Sequence, residues 1–426
     1  MPDSVDVAVV GGGPAGIAAA GAAAESGRSV LLIDRRPRLG GNVWYPVAGA
    51  PLPPEAAPSL RRLERSNVRV LTNAEVLDRP AASTLLVGSG DTAWQVRFGR
   101  LVLATGARER FLPFPGWTLP NVTGAGALQL LARAGTVVTG RSVIVAGSGP
   151  LLLATAAFLR AQGADVRLVA EQAPRTRVWW LAAGLWNDAA RRRQAVTLRR
   201  QLRGIPYRTG CWPVRAEGDD RVERVVLRQG MYEWTERCDL LACGFHLEPN
   251  TELAALLGCQ MSGGFVSVDE FQATSVQDTF CAGEPVGIGG VELARIEGEI
   301  AGLAATQQHD RARRLFPDRR RATRFRNALQ RAFALDPRLR EIVTSATTIC
   351  RCEDVRAERL LPFRSGRDAR LQTRCGMGPC QGRICGPVTE FLWGWSPRGV
   401  RPPLVPATVG QLTLAAGADG ARAADP

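Results

Sequence analysis

The chain has 426 residues, 45% of them hydrophobic and 22% charged, an ordinary composition for a globular protein long enough for about three domains. Its formal charge is +14, and all 54 basic residues are arginine. With no nucleic-acid motif and only 6% aromatic residues, that charge reads as a compositional bias on a solvated face, or as docking to an acidic partner, and nucleic acid is not an expected ligand. No run of about 20 apolar residues is present for a transmembrane segment, and no basic leader precedes the first apolar run, so a cytoplasmic protein with reduced or metal-bound cysteines is expected.

The first apolar run, Val7–Val10, leads into Gly11-Gly12-Gly13-Pro14-Ala15-Gly16 and a stretch of alanines. This is a strand, a Gly-x-Gly-x-x-Gly turn and a helix. Gly11 makes the tight turn, Gly13 lets backbone approach a pyrophosphate, and Gly16 lets the helix pack close to the strand. The helix N-terminus offers N–H groups and positive potential to the phosphates. A second run, Val30–Ile33, ends at Asp34, which is placed to accept from a ribose. Arg35 opens a segment that ends in Leu39-Gly40-Gly41, where paired glycines allow backbone to pass a bound cofactor or simply make a surface turn. Residues 51–58, rich in Pro and Ala, read as a linker. Short strands are expected at Val68–Leu71, Thr84–Val87 and Trp94–Phe98, and a buried strand Leu101–Leu103 enters Ala104-Thr105-Gly106.

The fingerprint with Asp34, followed by Ala104-Thr105-Gly106, resembles the two-dinucleotide-domain flavoproteins, the family of glutathione reductase-like and ferredoxin reductase-like enzymes. The resemblance implies an α/β fold with two Rossmann-like domains, FAD in the first, and Thr105 and Gly106 beside it. A second such unit is legible. Ser142–Ala146 is a strand, Gly147-Ser148-Gly149-Pro150-Leu151-Leu152 a turn, and Val166–Val169 a strand ending near Glu171. Leu152 stands in the place of the third glycine, where its bulk is expected to hold the helix off the strand or crowd the phosphates. With Gly147, Gly149 and Glu171 the second site could hold NAD, hold another adenine nucleotide in a structural role, or stand empty. Trp179, Trp180 and Trp186 read as core or interface, residues 211–241 as a β-meander, and Leu240–Gly244 as a buried strand. Ala282-Gly283-Glu284 precedes a glycine-rich turn and a helix. The family places an Ala-Gly-Asp there whose acid binds the ribitol chain, so Gly283 and Glu284 are expected at the FAD. In residues 311–340, Phe325, Leu329 and Phe333 put apolar groups on one face of a connecting or partner-docking helix.

Five of the 10 cysteines lie near the C-terminus, in Cys350-Arg351-Cys352 and Cys375-Gly376-Met377-Gly378-Pro379-Cys380-Gln381-Gly382-Arg383-Ile384-Cys385. Four thiolates suit an iron–sulfur cluster. Zinc is the alternative, though Cys-x-Cys is a poor zinc hook, and buried unliganded cysteines are another. The pattern resembles a bacterioferritin-associated-ferredoxin-like [2Fe–2S] domain. More narrowly, it resembles the A subunits of opine oxidases, together with the B subunit of hydrogen cyanide synthase and subunits of proline or hydroxyproline dehydrogenase complexes. The metal ligands implied are Cys350, Cys352, Cys380 and Cys385, with Cys375 extra to the pattern. The domain organisation implied is an FAD-binding domain over 1–120 and 244–310, a second dinucleotide domain over 121–243, a connecting helix over 311–340, a [2Fe–2S] domain over 341–410 and a disordered tail over 411–426.

The resemblance implies an FAD-dependent oxidoreductase subunit that passes electrons within a heteromeric dehydrogenase of an opine, proline, hydroxyproline or glycine. Its partners would be an amine-oxidase-type FAD subunit that oxidises the small amino-acid substrate and a small ferredoxin-like subunit, with FMN at a subunit interface and peripheral membrane association through partners as further features. The alternative is a stand-alone NAD(P)H-dependent flavin oxidoreductase feeding the cluster, and a third reading is a non-enzymatic iron–sulfur sensor. No Cys-x-x-Cys pair is present for disulfide exchange. Only His246 and His309 are histidines. His246 reads as a core or surface residue or as a neighbour of the flavin, and no catalytic residue is assigned.

Overall fold

The structure, a computed structural model, describes residues 4–47, 49–51, 53–184, 188–396 and 399–413. Trp186 and nearly all of the expected disordered tail lie outside the described residues. The chain divides into two compact units: residues 1–108, 249–326 and 399–426, and residues 109–248 and 327–398. The second unit therefore takes in both the second nucleotide fold and the cysteine-rich segment. The chain returns to the first unit at Pro249, after the buried strand Leu240–Phe245 has completed the second sheet.

In the first unit β1 (Ser4–Val10), α1 (Pro14–Ala24) and β2 (Val30–Ile33) form the expected βαβ. β1 lies parallel between β2 and a long strand, Thr92–Leu103. That strand joins the stretches 94–98 and 101–103, read separately in the sequence. Its first half pairs antiparallel with Thr84–Ser89 and its last three residues pair parallel with Thr279–Cys281, so it needs its full length. The seven-stranded sheet is completed by Val68–Leu71 beside β2 and by Glu75–Ala81 at the other edge. All four residues of β2 are buried, as an apolar run covered on both faces should be. The linker is shorter than expected, because a helix starts at Ala57 and buries Leu60 and Leu63.

The alanines of α1 serve helix–helix contact. α1 packs against the helix Gly290–Ala305. A Cβ on Gly298 would lie 2.1 Å from the Ala15 carbonyl oxygen, and one on Gly302 would lie 2.2 Å from that of Ala19. Two helices can approach this closely only where one presents no side chain.

In the second unit five parallel strands run in the order Tyr207–Thr209, Asp165–Glu171, Ser142–Ser148, Leu240–Phe245, Val122–Gly124. The meander is a three-stranded antiparallel sheet, Cys211–Glu217, Arg224–Gln229 and Tyr232–Arg237. The cysteine-rich segment folds as a short hairpin, Thr348–Cys350 with Val355–Arg356, and two helices, Gly366–Thr373 and Cys385–Trp393. Trp117 ties this segment to the rest of its unit by donating from Nε1 to the Thr348 carbonyl at 2.7 Å.

Candidate functional site

The fingerprint of the first unit is built as its glycines require. Gly11 has φ +109°, and a Cβ there would lie 2.1 Å from the Ala104 oxygen; a Cβ on Gly16 would lie 1.7 Å from the Gly11 oxygen. Gly41, at φ +60°, faces Gly13, and its Cβ would lie 2.9 Å from the Gly13 Cα. Two glycines thus leave a backbone-lined cradle at the helix N-terminus, where a pyrophosphate fits. Pro14 starts α1 and Ala15 is buried behind it.

The Asp34 side chain is buried, and its two oxygens accept from the backbone N–H of Gly12 and, at 2.7 Å, of Arg36. Spare lone pairs remain for ribose hydroxyls. Arg35 is exposed and 3.9 Å from Glu75. It is Arg36 that turns inward, donating to the Gly41 carbonyl at 3.3 Å and to Asn42, with its guanidinium 5.3 Å from the Tyr45 ring centre. The signal for Arg36 was its place two residues after an aspartate, the spacing of an Asx turn.

Thr105 and Gly106 are held by Asn250, which sequence reasoning missed. Asn250 Nδ2 donates to the Thr105 carbonyl and its backbone N–H to the Gly106 carbonyl, both at 2.9 Å, while Arg108 donates to Asn250 Oδ1 at 2.8 Å.

Glu284 behaves differently from a free ribitol ligand. Its carboxylate oxygens accept from Gly289 N–H at 3.1 Å and Gly290 N–H at 3.0 Å, at the N-terminus of the helix Gly290–Ala305. Burial pushes its pKa up to about 7. Gly283 has φ +78°, and its N–H donates at 3.0 Å to Glu297, which is 4% exposed and pushed up to about 8 by burial. Glu297 also went unread, although its spacing from Leu293 and Ala301 placed a carboxylate on an otherwise apolar helix face. It lines an open cleft of about 390 Å³ with Gln272, Arg319 and Arg326.

The second fold repeats the plan of the first. Gly147 has φ +136°, with the Gly244 oxygen 1.9 Å from where its Cβ would be. Glu171 accepts from Gly149 N–H at 2.7 Å and Ala173 N–H at 2.8 Å, as Asp34 does from Gly12 and Arg36. Leu152 does not crowd the phosphate approach. It is 1% exposed, in one apolar cluster with Leu128, Val143 and Val145. The group that does face Gly149 is Phe333, whose Cγ lies 3.9 Å from the position of a Gly149 Cβ. The Phe333 carbonyl accepts from Ser148 Oγ at 3.0 Å, Gln172 Nε2 at 3.2 Å and His246 Nε2 at 2.5 Å. His246 is committed to that carbonyl, which fixes its proton on Nε2, and burial lowers its pKa. His309 is exposed, with its ring edge-on to Phe271 at 4.7 Å. Trp179 and Trp180 are not core; they are 60% and 69% exposed on the helix Arg175–Gly184.

The C-terminal thiols converge. The sulfurs of Cys350, Cys375 and Cys385 lie within 4.8 Å of one another, and all three residues are buried. The Cys352 thiol neighbours that of Cys380, one exposed and the other half-buried. Cys375, extra to the sequence pattern, is thus within the gathered set. Hydrogen bonds from the Cys375 and Cys385 thiols hold Cys350 down to about 2, and Gly376 N–H adds a contact at 3.5 Å. The donor set suits a thiophilic metal centre. The cysteines outside this segment are buried. Burial lifts Cys211 and Cys238 to about 12 and raises Cys243 and Cys281 well above the ordinary thiol value, so these are inert thiols.

Two nucleotide folds in tandem, the first with an open glycine cradle, define a flavin-dependent oxidoreductase. Residues 5–298 match the pyridine nucleotide-disulphide oxidoreductase family, and the chain belongs to it. Within that family it is similar to the HcnB subunit of hydrogen cyanide synthase from Pseudomonas aeruginosa, at 31% identity over 88% of this chain and 90% of that one. It is also similar to the A subunit of opine oxidase from Rhizobium meliloti, at 30% identity over 96% and 98%. The fold is shared with L-proline dehydrogenase from P. horikoshii, at a TM-score of 0.66 and 20% identity over 96% of this chain and 79% of that one. Among the described residues no helix is long and apolar enough to cross a membrane.

Proposed function

We propose that this chain is the electron-transfer subunit of a heteromeric dehydrogenase of amino acids such as an opine, proline, hydroxyproline or glycine. In this reading it carries FAD in the first unit and a [2Fe–2S] cluster in the second. The observation that carries the reading is the pairing of the C-terminal thiols. A [2Fe–2S] cluster takes two thiolates on each iron; the Cys350 and Cys385 sulfurs lie within 4.8 Å of each other, with Cys375 equally close, and Cys352 neighbours Cys380, so the four thiols of this reading can be divided into two pairs. In this scheme Cys375 is a neighbour that hydrogen-bonds ligand sulfur.

Flavin accepts an electron pair and releases it singly, and an iron–sulfur centre carries one electron at a time. The chain's own residues do the positioning. Gly13 and Gly41 admit the pyrophosphate, Asp34 takes a ribose, Asn250 fixes the Thr105–Gly106 turn, and Glu297 fixes Gly283. Among the described residues no acid–base pair is assigned to attack on a carbon–nitrogen bond. Its similar proteins are named as subunits of an oxidase and a synthase, which supports placing substrate oxidation on a partner.

The test is anaerobic titration of the complex purified from its native host. Reduction of the flavin by an amino acid with the partner present, and none by that amino acid when this chain is alone, is the expected result. Rapid bleaching of the isolated chain by NADH would favour the stand-alone reductase and sink this reading.

A further inference from the structure

We infer that Phe333 determines which electron donors this chain admits: the segment Phe333–Asp336 fills the pyrophosphate place of the second nucleotide fold, so free nicotinamide and adenine dinucleotides are excluded from it. The inference concerns that fold alone and goes beyond the reading above.

The second glycine of the fingerprint lacks a Cβ so that a pyrophosphate can come against it. Among the described residues, and apart from its chain neighbours, the atom within 4 Å of the ideal Gly149 Cβ position is Cγ of the Phe333 ring, at 3.9 Å. At the equivalent Gly13 the atom at the same distance is the Cα of Gly41, a residue with no side chain to project. The two folds therefore differ at this point by a benzyl group. Phe333 is not loosely placed. It is 5% exposed, in one cluster with Ala173 and Ala332 and packed by Val178, Leu181 and Leu329.

The polar contacts agree. Ser148 on the fingerprint turn and Gln172 just past the second strand are suited to hold phosphate oxygens. Both donate instead to the Phe333 carbonyl, and His246 joins them. The carbonyl stands where an anionic oxygen would. Gln172 is fully buried and uses its amide oxygen as well, accepting from Asp336 N–H at 3.0 Å. Arg177 donates to the Ala334 carbonyl at 3.3 Å. Glu171, the acid that would meet the ribose, is fully buried, with both oxygens on backbone N–H groups. Admitting a dinucleotide requires this segment to leave, which exposes the ring and strips the buried donors of their acceptor. Apparent affinity falls by the fraction of molecules in which the segment is open.

The test uses the flavin-loaded full chain, titrated calorimetrically with NADH and with ADP-ribose, while hydrogen exchange follows the amides of 334–336. Wild type is expected to bind neither, with those amides protected at millimolar NADH. Phe333→Ala and Phe333→Gly are expected to bind at least about 100-fold more tightly than the wild-type limit. Micromolar binding by wild type with the segment still protected overturns the inference. So does a variant that keeps its flavin yet gains no binding. Should both variants lose their fold, the wild-type titration with its exchange readout decides. Neither measurement involves a partner subunit, so failure here is separable from failure of the amino-acid donor reading.

Discussion

The carboxylate of Glu171 accepts from the backbone N–H of Gly149 at 2.7 Å inside a fully buried pocket. Burial raises its pKa to about 7, and burial likewise raises Glu284 to about 7 and Glu297 to about 8. All three are ordinary carboxylates near 4.5 when the chain unfolds, so between those values the folded state holds protons that the unfolded state has released. Stability from these groups is fully present below about pH 4.5 and is lost as pH rises to about 8. The melting temperature of the flavin-free chain should therefore fall between about pH 5 and pH 8. Glu171→Gln, which cannot ionise, should show a shallower fall. A melting temperature that climbs across this window, or parallel slopes for the two proteins, contradicts the assignment.

The contact between Gly298 and Ala15 gives a packing test. A methyl group at 2.1 Å from a backbone oxygen has no flexible neighbour to displace. Gly298→Ala should therefore cost about 1–3 kcal/mol, the usual range for overpacking, and lower the melting temperature by several degrees. Flavin retention should drop too, because α1 begins at the cradle. Gly184, whose Cβ would meet nothing within 4 Å, is the control; Gly184→Ala should be neutral or slightly stabilising. Equal melting temperatures for the two variants would show that the helices separate without cost.

The first βαβ unit was legible because its signals are local. A four-residue apolar run, glycines at fixed offsets and an acid at the end of the next strand all act within about 30 residues. What was missed is held by distant partners. Asn250 reaches Thr105 across 145 positions, and Ser148 reaches Phe333 across 185. Phe333 was visible as one of three apolar residues on a helix face, but periodicity says only that such a face is covered and not by what. Leu152 misled for the same reason: a non-glycine in a fingerprint reads as an obstruction until the neighbouring helix Ala125–Arg133 supplies the apolar cluster that takes it. Trp179 and Trp180 show the converse: aromatic residues in a helical pattern read as core or interface, and their exposure rules out the core alone.

Asn250 donates from its side chain to the Thr105 carbonyl, and it also accepts from Arg108. Asn250→Ala removes both contacts, and the cost of leaving a half-buried carbonyl unpaired is about 1–3 kcal/mol. Because that turn is the one expected at the flavin, the loss should appear as about 5–150-fold weaker FAD retention on dilution. Asn250→Asp keeps the acceptor for Arg108 but cannot donate to Thr105, so it should resemble the alanine variant. Wild-type retention in Asn250→Asp would mean that the Arg108 contact, and not the Thr105 contact, holds the turn.

Cys375 separates two metal sites that the same five thiols could build. If the irons sit on Cys350 with Cys385 and on Cys352 with Cys380, Cys375→Ser removes a hydrogen bond to sulfur and no ligand. The purified variant should then keep its iron and sulfide, with an altered cluster spectrum. Serine at any of the other four positions should empty the site, since a thiolate ligand is lost. A single ion in the Cys350–Cys375–Cys385 triad makes the opposite forecast, because those three sulfurs are already within 4.8 Å of one another. Cys375→Ser would then release the metal and Cys352→Ser would keep it. Metal and acid-labile sulfide content of the five single variants, measured together, distinguishes the two. Retention in Cys352→Ser with loss in Cys375→Ser would replace the iron–sulfur assignment with a mononuclear thiolate site, and the electron path through this chain would lose its second carrier.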